Sequence, residues 1–149
     1  MGLTAAVRGA LEARLREEIE TVHGFLVAWF RGEVARADAV FAAELADRLA
    51  PGMVNIQPSG RVLTRADLLS GVKDGHGTNP AFGITITDCA LRHVADDGRL
   101  ALVTYLEHQR GAVNTDPPDN LRRSTALFQV PPAPARPLWL HIHETAVPA

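Results

Sequence analysis

Trp139-Leu140-His141-Ile142-His143-Glu144-Thr145 is the stretch on which the reading of this chain turns. It alternates with a period of two, so it predicts a β-strand. On a regular strand Trp139, His141, His143 and Thr145 share one face of a sheet. Leu140 and Ile142 share the other, with Glu144 at the end of that row.

The same period runs upstream. Ile84–Val94 and Leu100–Arg110 read as two strands, joined by the Asp96-Asp97-Gly98-Arg99 turn, where Asp-Gly is a hairpin signal. Leu121–Val130 reads as a third strand, after a polar, proline-bearing loop over Asn114–Asn120. A proline-rich link, Pro131–Pro137, leads to the fourth, Leu138–Thr145. Four strands in sequence predict an antiparallel meander.

Before the strands the period is helical. Leu11, Leu15, Ile19, Val22, Leu26, Trp29 and Phe30 form one apolar stripe on a helix from about Thr4 to Arg31. His23 sits on the edge of that stripe and is a candidate for lining a pocket. A second helix is expected over Arg36–Ala50, stopped by Pro51-Gly52, then a short isolated strand at Met53–Gln57. Thr64-x-x-Asp67 resembles a capping box and starts a third helix over Ala66–Val72. His76 lies in a glycine-bearing loop, where a solvated role is the plainer reading. Helices followed by strands imply α+β segregation, with the helices packed on one face of a curved antiparallel sheet.

Bulk composition narrows the function classes. The 149 residues are 46% hydrophobic and 21% charged, as expected of one globular domain spanning 1–149. The net charge is −2, with no basic patch of the kind nucleic acid demands. Arg8, Glu12, Arg14 and Arg16 interrupt any apolar leader, and no run is long enough to span a membrane. The single cysteine, Cys89, cannot form an internal disulfide, so a reducing, cytoplasmic setting is the expectation. No phosphate-cradling loop, dinucleotide fingerprint or nucleophile elbow occurs, and no cofactor is expected.

Together the motifs resemble a known family. They are Trp29-Phe30-Arg31-Gly32, Pro58-Ser59-Gly60, Val103-Thr104-Tyr105-Leu106-Glu107-His108-Gln109, Arg122-Arg123-Ser124-Thr125-Ala126-Leu127-Phe128, and Trp139 to Thr145. The chain resembles the nuclear transport factor 2-like superfamily. Within it, it is similar to SnoaL-like proteins that resemble the calcium/calmodulin-dependent kinase II association domain. The resemblance covers nearly the whole chain. It implies a cone-shaped, cystatin-like fold, a pocket inside the cone, and a homodimer through the sheet. The superfamily hosts enzymes, binding proteins and assembly modules, so the resemblance leaves the function open.

The candidate site is one wall of that cone. Tyr105, Glu107 and Gln109 share a face of the second strand, Arg123 and Thr125 of the third, and Trp139, His141 and His143 of the fourth. If these faces coincide they bring imidazoles, a carboxylate, a guanidinium, a phenol and an amide beside a large aromatic. The opposite faces, with Leu102 and Leu106, Ser124, Ala126 and Phe128, and Leu140 and Ile142, are the competing core set. On the first reading Glu107 pairs with His143 or His141 for acid–base work, and Arg123 holds an anionic group. The plainer alternative is a Glu107–Arg123 ion pair that braces the sheet. His141-x-His143 can chelate an ion, but two histidines without further ligands do not make a metal site, and none is expected.

Three functions remain open on this basis. The first is binding of a small organic ligand, anionic if Arg123 reaches it. The second is a cofactor-independent isomerase, dehydratase or hydrolase using Glu and His. The third is a homodimeric assembly module without activity.

Overall fold

The computed structural model describes residues 2–149. Helix α1 (Ala5–Arg31) opens on Thr4, whose hydroxyl accepts from the Val7 amide, and closes on Gly32 in the left-handed region at φ 74°. Its buried face carries Leu11, Leu15, Ile19, Val22, Phe25 and Trp29, and also Glu18 and His23. Helix α2 (Asp38–Glu44) is followed by a 3₁₀ turn at Ala46–Arg48. Strands β1 (Leu49–Ile56) and β2 (Val62–Thr64) precede helix α3 (Arg65–Asp74), and Thr64 and Asp67 form the reciprocal capping box. Strands β3 (Gly83–Val94), β4 (Leu100–Arg110), β5 (Asn120–Gln129) and β6 (Leu138–Ala146) complete one six-stranded sheet, ordered β2-β1-β6-β5-β4-β3.

The four-strand antiparallel meander is present, but the sheet is mixed. The segment expected to stand alone after the second helix is β1, and it runs parallel to β6. The second helix is also far shorter than its pattern suggests. Leu49 and Ala50 are buried in the sheet, and Pro51-Gly52 lie where the β1–β6 register shifts between Leu49 and Val54. A strand tolerates Pro and Gly at such an irregularity, so they interrupt pairing there instead of terminating a helix.

The helices cover the inner face of the sheet. Trp29 joins the layers: its indole N–H donates to the Val72 carbonyl on α3 at 2.8 Å, and its ring packs on Phe41. His76 is not a solvated loop residue. It stacks edge-on against Trp29 and hydrogen-bonds the Val34 carbonyl at 2.7 Å, fastening the loop after α3 over the end of α1. Gly75 is required there, because a Cβ would stand 2.2 Å from the Phe30 ring. No helix among the described residues is long and apolar enough to cross a membrane.

Candidate functional site

Strand β4 sets the inner wall. Ala101, Val103, Tyr105, Glu107 and Gln109 alternate inward and are all buried, while Leu102, Thr104, Leu106 and His108 face out half-covered. An unbroken apolar row would suffice for a core. The three polar residues at its end therefore need partners, and they find them on α1 and β5.

Glu107 is the hub. Its Oε1 faces His23 Nε2 at 3.0 Å, and its Oε2 accepts a short hydrogen bond from the Gln109 amide. The other imidazole nitrogen of His23, Nδ1, lies 2.7 Å from the Ile19 carbonyl one helical turn back. Both ring nitrogens face oxygen acceptors, so the ring is held as imidazolium, donating twice. Burial alone would lower the His23 pKa, but Glu107 and the Ile19 carbonyl outweigh it and hold it above its ordinary 6.5. Burial likewise pushes Glu107 up, but His23, Gln109 and Arg122 bring it below its ordinary 4.5.

A second carboxylate stands nearby. Glu144 on β6 accepts from Arg122 Nη1 and from Asn55 Nδ2, each at 3.2 Å. Burial and the neighbouring Glu107 charge push its pKa above 4.5 against the pull of Arg122 and Asn55. Arg122 also donates to Asn120 Oδ1 and to Thr115 in the β4–β5 loop, and Asn120 donates to Gln109. His23, Glu107, Arg122 and Glu144 thus form a charge-balanced cluster. Tyr105 lies among them, edge-on to His23 at 5.7 Å, and its phenol is pushed well above 10.0 by burial and by both carboxylates.

Five of the residues singled out in the sequence meet on this inner side: His23, Tyr105, Glu107, Gln109 and Trp139. Four do not, and the expectation of one shared wall is corrected for them. His141 and His143 pair with Leu127 and Thr125 on the outer face, and His143 is exposed. The cause is a register shift at Leu140: Phe128 pairs with Trp139 but Leu127 pairs with His141. One extra residue flips the phase of everything after it. Trp139 points in, and so do Ile142 and Glu144. Arg123 and Thr125 face outward because β5 buries the opposite set, Ser124, Ala126 and Phe128. Arg123 pairs at the surface with Asp88 at 2.9 Å. The carboxylate partner expected for His141 or His143 therefore goes to His23, and the expected Glu107–Arg123 brace is absent: Arg122, one residue earlier and the register partner of Glu107, pairs with Glu144 instead. No group of three metal-ligating side chains gathers among the described residues.

Beside the cluster lies a narrow apolar slot with a cavity volume of about 60 Å³. Val22 and Leu26 of α1, Leu68 and Val72 of α3, and Trp139 and Ile142 of β6 line it, and His23 is its only polar wall.

No family model matches the chain, and no curated protein matches it. Solved structures do. A protein of unknown function from Pseudomonas aeruginosa, described as nuclear transport factor 2-like, superposes with a TM-score of 0.76 at 24% identity, covering 91% of this chain and 99% of that one. A candidate dehydratase from Streptomyces avermitilis gives 0.63 at 17% identity, over 92% and 96%. A candidate calcium/calmodulin-dependent kinase II association domain from Exiguobacterium sibiricum gives 0.60 at 15% identity, over 100% and 98%. This chain has the nuclear transport factor 2-like fold.

Within that fold the inner end of the cone holds polar residues that sequence reasoning missed. Arg122, Glu144, Asn55, Asn120 and Ser124 all belong to it. One signal was available for two of them. Arg122 is the next inward position before Ser124, Ala126 and Phe128, and Glu144 ends the row of Leu140 and Ile142. Accepting the apolar faces of β5 and β6 as the inner ones would have brought both inside. Asn55 had no such signal, because its position depends on β1 docking alongside β6.

Proposed function

We propose that this nuclear transport factor 2-like chain binds a small organic molecule, with its apolar body in the slot between α1, α3 and β6 and its polar end at the His23–Glu107 pair. The observation that carries this reading is the slot itself. It is apolar on every side except where it meets a buried imidazolium backed by a carboxylate. The cluster's charges balance, and Arg123 lies outside, so an anionic ligand loses the residue that favoured it. An uncharged ligand fits better.

The test is a titration with ethanol, whose two-carbon body is within the slot's volume, following the His23 ring and Ile142 methyl resonances. Both should shift in the wild type, and neither should shift in Val72→Phe, whose larger side chain fills the slot. Unchanged resonances in the wild type, or equal shifts in both proteins, would defeat the reading.

A second reading rests on the two carboxyls. Glu107 is held low and Glu144 high, which is how one site keeps a base and an acid together. It supports proton-transfer chemistry of the isomerase, dehydratase or hydrolase kind, with Glu144 near the ligand's polar end. A candidate dehydratase shares the fold.

We also infer that the chain pairs with a second copy through the outer sheet face. There Val54, Ile56, Leu102, Leu106 and Leu127 sit half-covered among Thr104, Thr125 and His141. A charge in that face should be incompatible with pairing. Leu106→Glu is expected to sediment as a monomer while the wild type sediments as a dimer. Equal sedimentation of both would count against the interface.

A further inference from the structure

A second and larger cavity, of about 410 Å³, shares no residue with the slot or the polar cluster. It is a groove where the first turns of α1 pass the β3–β4 turn and the start of the proline-rich link. Gly98 and Arg99 line it just before β4 begins, and Glu107 and Gln109 lie near the other end of that strand. Val7, Ala10 and Leu11 of α1, with Val130, Pro131 and Pro132, make the groove largely apolar. The Val130 amide donates to the Arg99 carbonyl at 2.8 Å, fixing the turn against the end of β5. Val7 is left 49% exposed, so an apolar ligand has surface there to cover.

Two cations line the same groove. Arg14 is half-buried, and its Nη2 donates to the Pro131 carbonyl at 3.0 Å and to the Ala135 carbonyl, so the guanidinium is held in place before any ligand arrives. Its Nε and Nη1 donors have no partner among the described residues. The Arg99 guanidinium is exposed on the turn and makes no ion pair among the described residues. The one acid of the groove, Asp97, accepts from the Arg99 amide at 3.0 Å, which leaves two cations facing one carboxylate.

We propose that this groove binds a small amphiphilic monocarboxylate, with its chain on the Val7 and Pro132 walls and its carboxylate on Arg14, supported by Arg99. The volume is in the range of small-molecule sites, roughly 300–1,000 Å³. A guanidinium matches a carboxylate with parallel N–H donors, and one already fixed by two carbonyls loses little freedom on binding. A neutral amphiphile covers the same apolar walls but leaves the spare Arg14 donors to water, so the charge sets the preference. The site is separate from the slot, and its ligand is of a different class.

The test titrates octanoate, octanol and octylammonium, following the Gly98 and Val130 amide resonances with the His23 ring as the reference for the slot. In the wild type octanoate should shift Gly98 and Val130 and bind about tenfold more tightly than octanol, with octylammonium weakest. Arg14→Gln should remove that preference and leave octanol binding unchanged. Arg14 also ties down the proline-rich link, so Arg99→Gln, at an exposed position, gives an independent reading; it should weaken octanoate roughly twofold to fivefold. Ala10→Trp, also at an exposed position, should fill the groove and abolish binding of octanoate and octanol alike. Equal affinity for octanoate and octanol, or tightest binding of octylammonium, would overturn the carboxylate site. So would shifts confined to His23, octanoate binding that survives Ala10→Trp, or no binding of any probe. Failure here leaves the slot standing, because ethanol tests it separately.

Discussion

Replacing Glu107 with leucine should cost about 3–5 kcal/mol of folding stability in urea denaturation, the range for removing one partner of a buried ion pair. The variant leaves the His23 imidazolium with one acceptor instead of two and leaves the Gln109 amide facing a methyl group. Introducing His23→Leu as well should recover most of the loss, since an apolar pair of similar volume requires no compensating charge. Glu107→Gln should be mild, because an amide can still donate to a neutral His23. If Glu107→Leu and the double variant are equally unstable, the two side chains are not coupled as their 3.0 Å contact implies.

The same pair predicts a pH dependence with a definite sign. His23 is raised, so its contribution is complete below pH 6.5 and is lost as the pH rises through its folded-state pKa. Glu107 is lowered, so its contribution is complete above pH 4.5 and is lost as the pH falls through its folded-state pKa. The pair is at full strength between those two values. Glu144, raised, acts oppositely to Glu107 and favours the folded state toward acid. Denaturation midpoints should therefore fall as the solution becomes alkaline, and Glu107→Gln should flatten that fall. An unchanged slope in Glu107→Gln would mean that His23 does not titrate against Glu107.

Trp139→Ala should be comparably severe, about 3–5 kcal/mol, by cavity formation alone. Trp139 is 1% exposed, packs on Phe128 at 4.6 Å between ring centroids, and is tilted toward His23 at 6.1 Å. Its indole N–H also donates to Glu18 at 3.1 Å, a buried carboxylate that Arg136 holds at 2.9 Å. The alanine variant thus opens a hole beside the slot and removes one of the hydrogen bonds to a buried charge. Trp139→Phe should recover most of the loss, because Arg136 still pairs with Glu18 and most of the volume is restored. A cost of about 1 kcal/mol for Trp139→Ala would mean that the core collapses into the space and that the slot's wall is not rigid.

These outcomes bear on how the polar cluster can serve the cone. A network in which every carboxylate oxygen already has a donor is rigid, and it presents its polarity to the slot through His23 alone.

Much of this was legible from local pattern. The stripe from Leu11 to Trp29, the Thr64–Asp67 capping box and the Asp97-Gly98 turn are interactions within a few residues, so spacing alone identifies them. The alternation of β4 placed Tyr105, Glu107 and Gln109 on one face, and nothing interrupts that face in the fold. Which face of β5 turns inward is not a local property. Both faces carry polar and apolar residues, and the choice follows from which set packs against α1 and pairs across the sheet. The break in β6 is decided the same way. Periodicity put Trp139 and His141 together. The register that pairs Phe128 with Trp139 and Leu127 with His141 holds one extra residue at Leu140 and separates them. A bulge is a mismatch between two strands, so one strand's sequence cannot announce it. The amino-acid sequence by itself determined the first and third helices, the meander, the fold class and the inward row of β4. Only the tertiary structure decided that the imidazole meeting Glu107 comes from His23, 84 residues away, and not from His141 or His143. That partnership depends on where α1 crosses the sheet, a distance that no local spacing encodes.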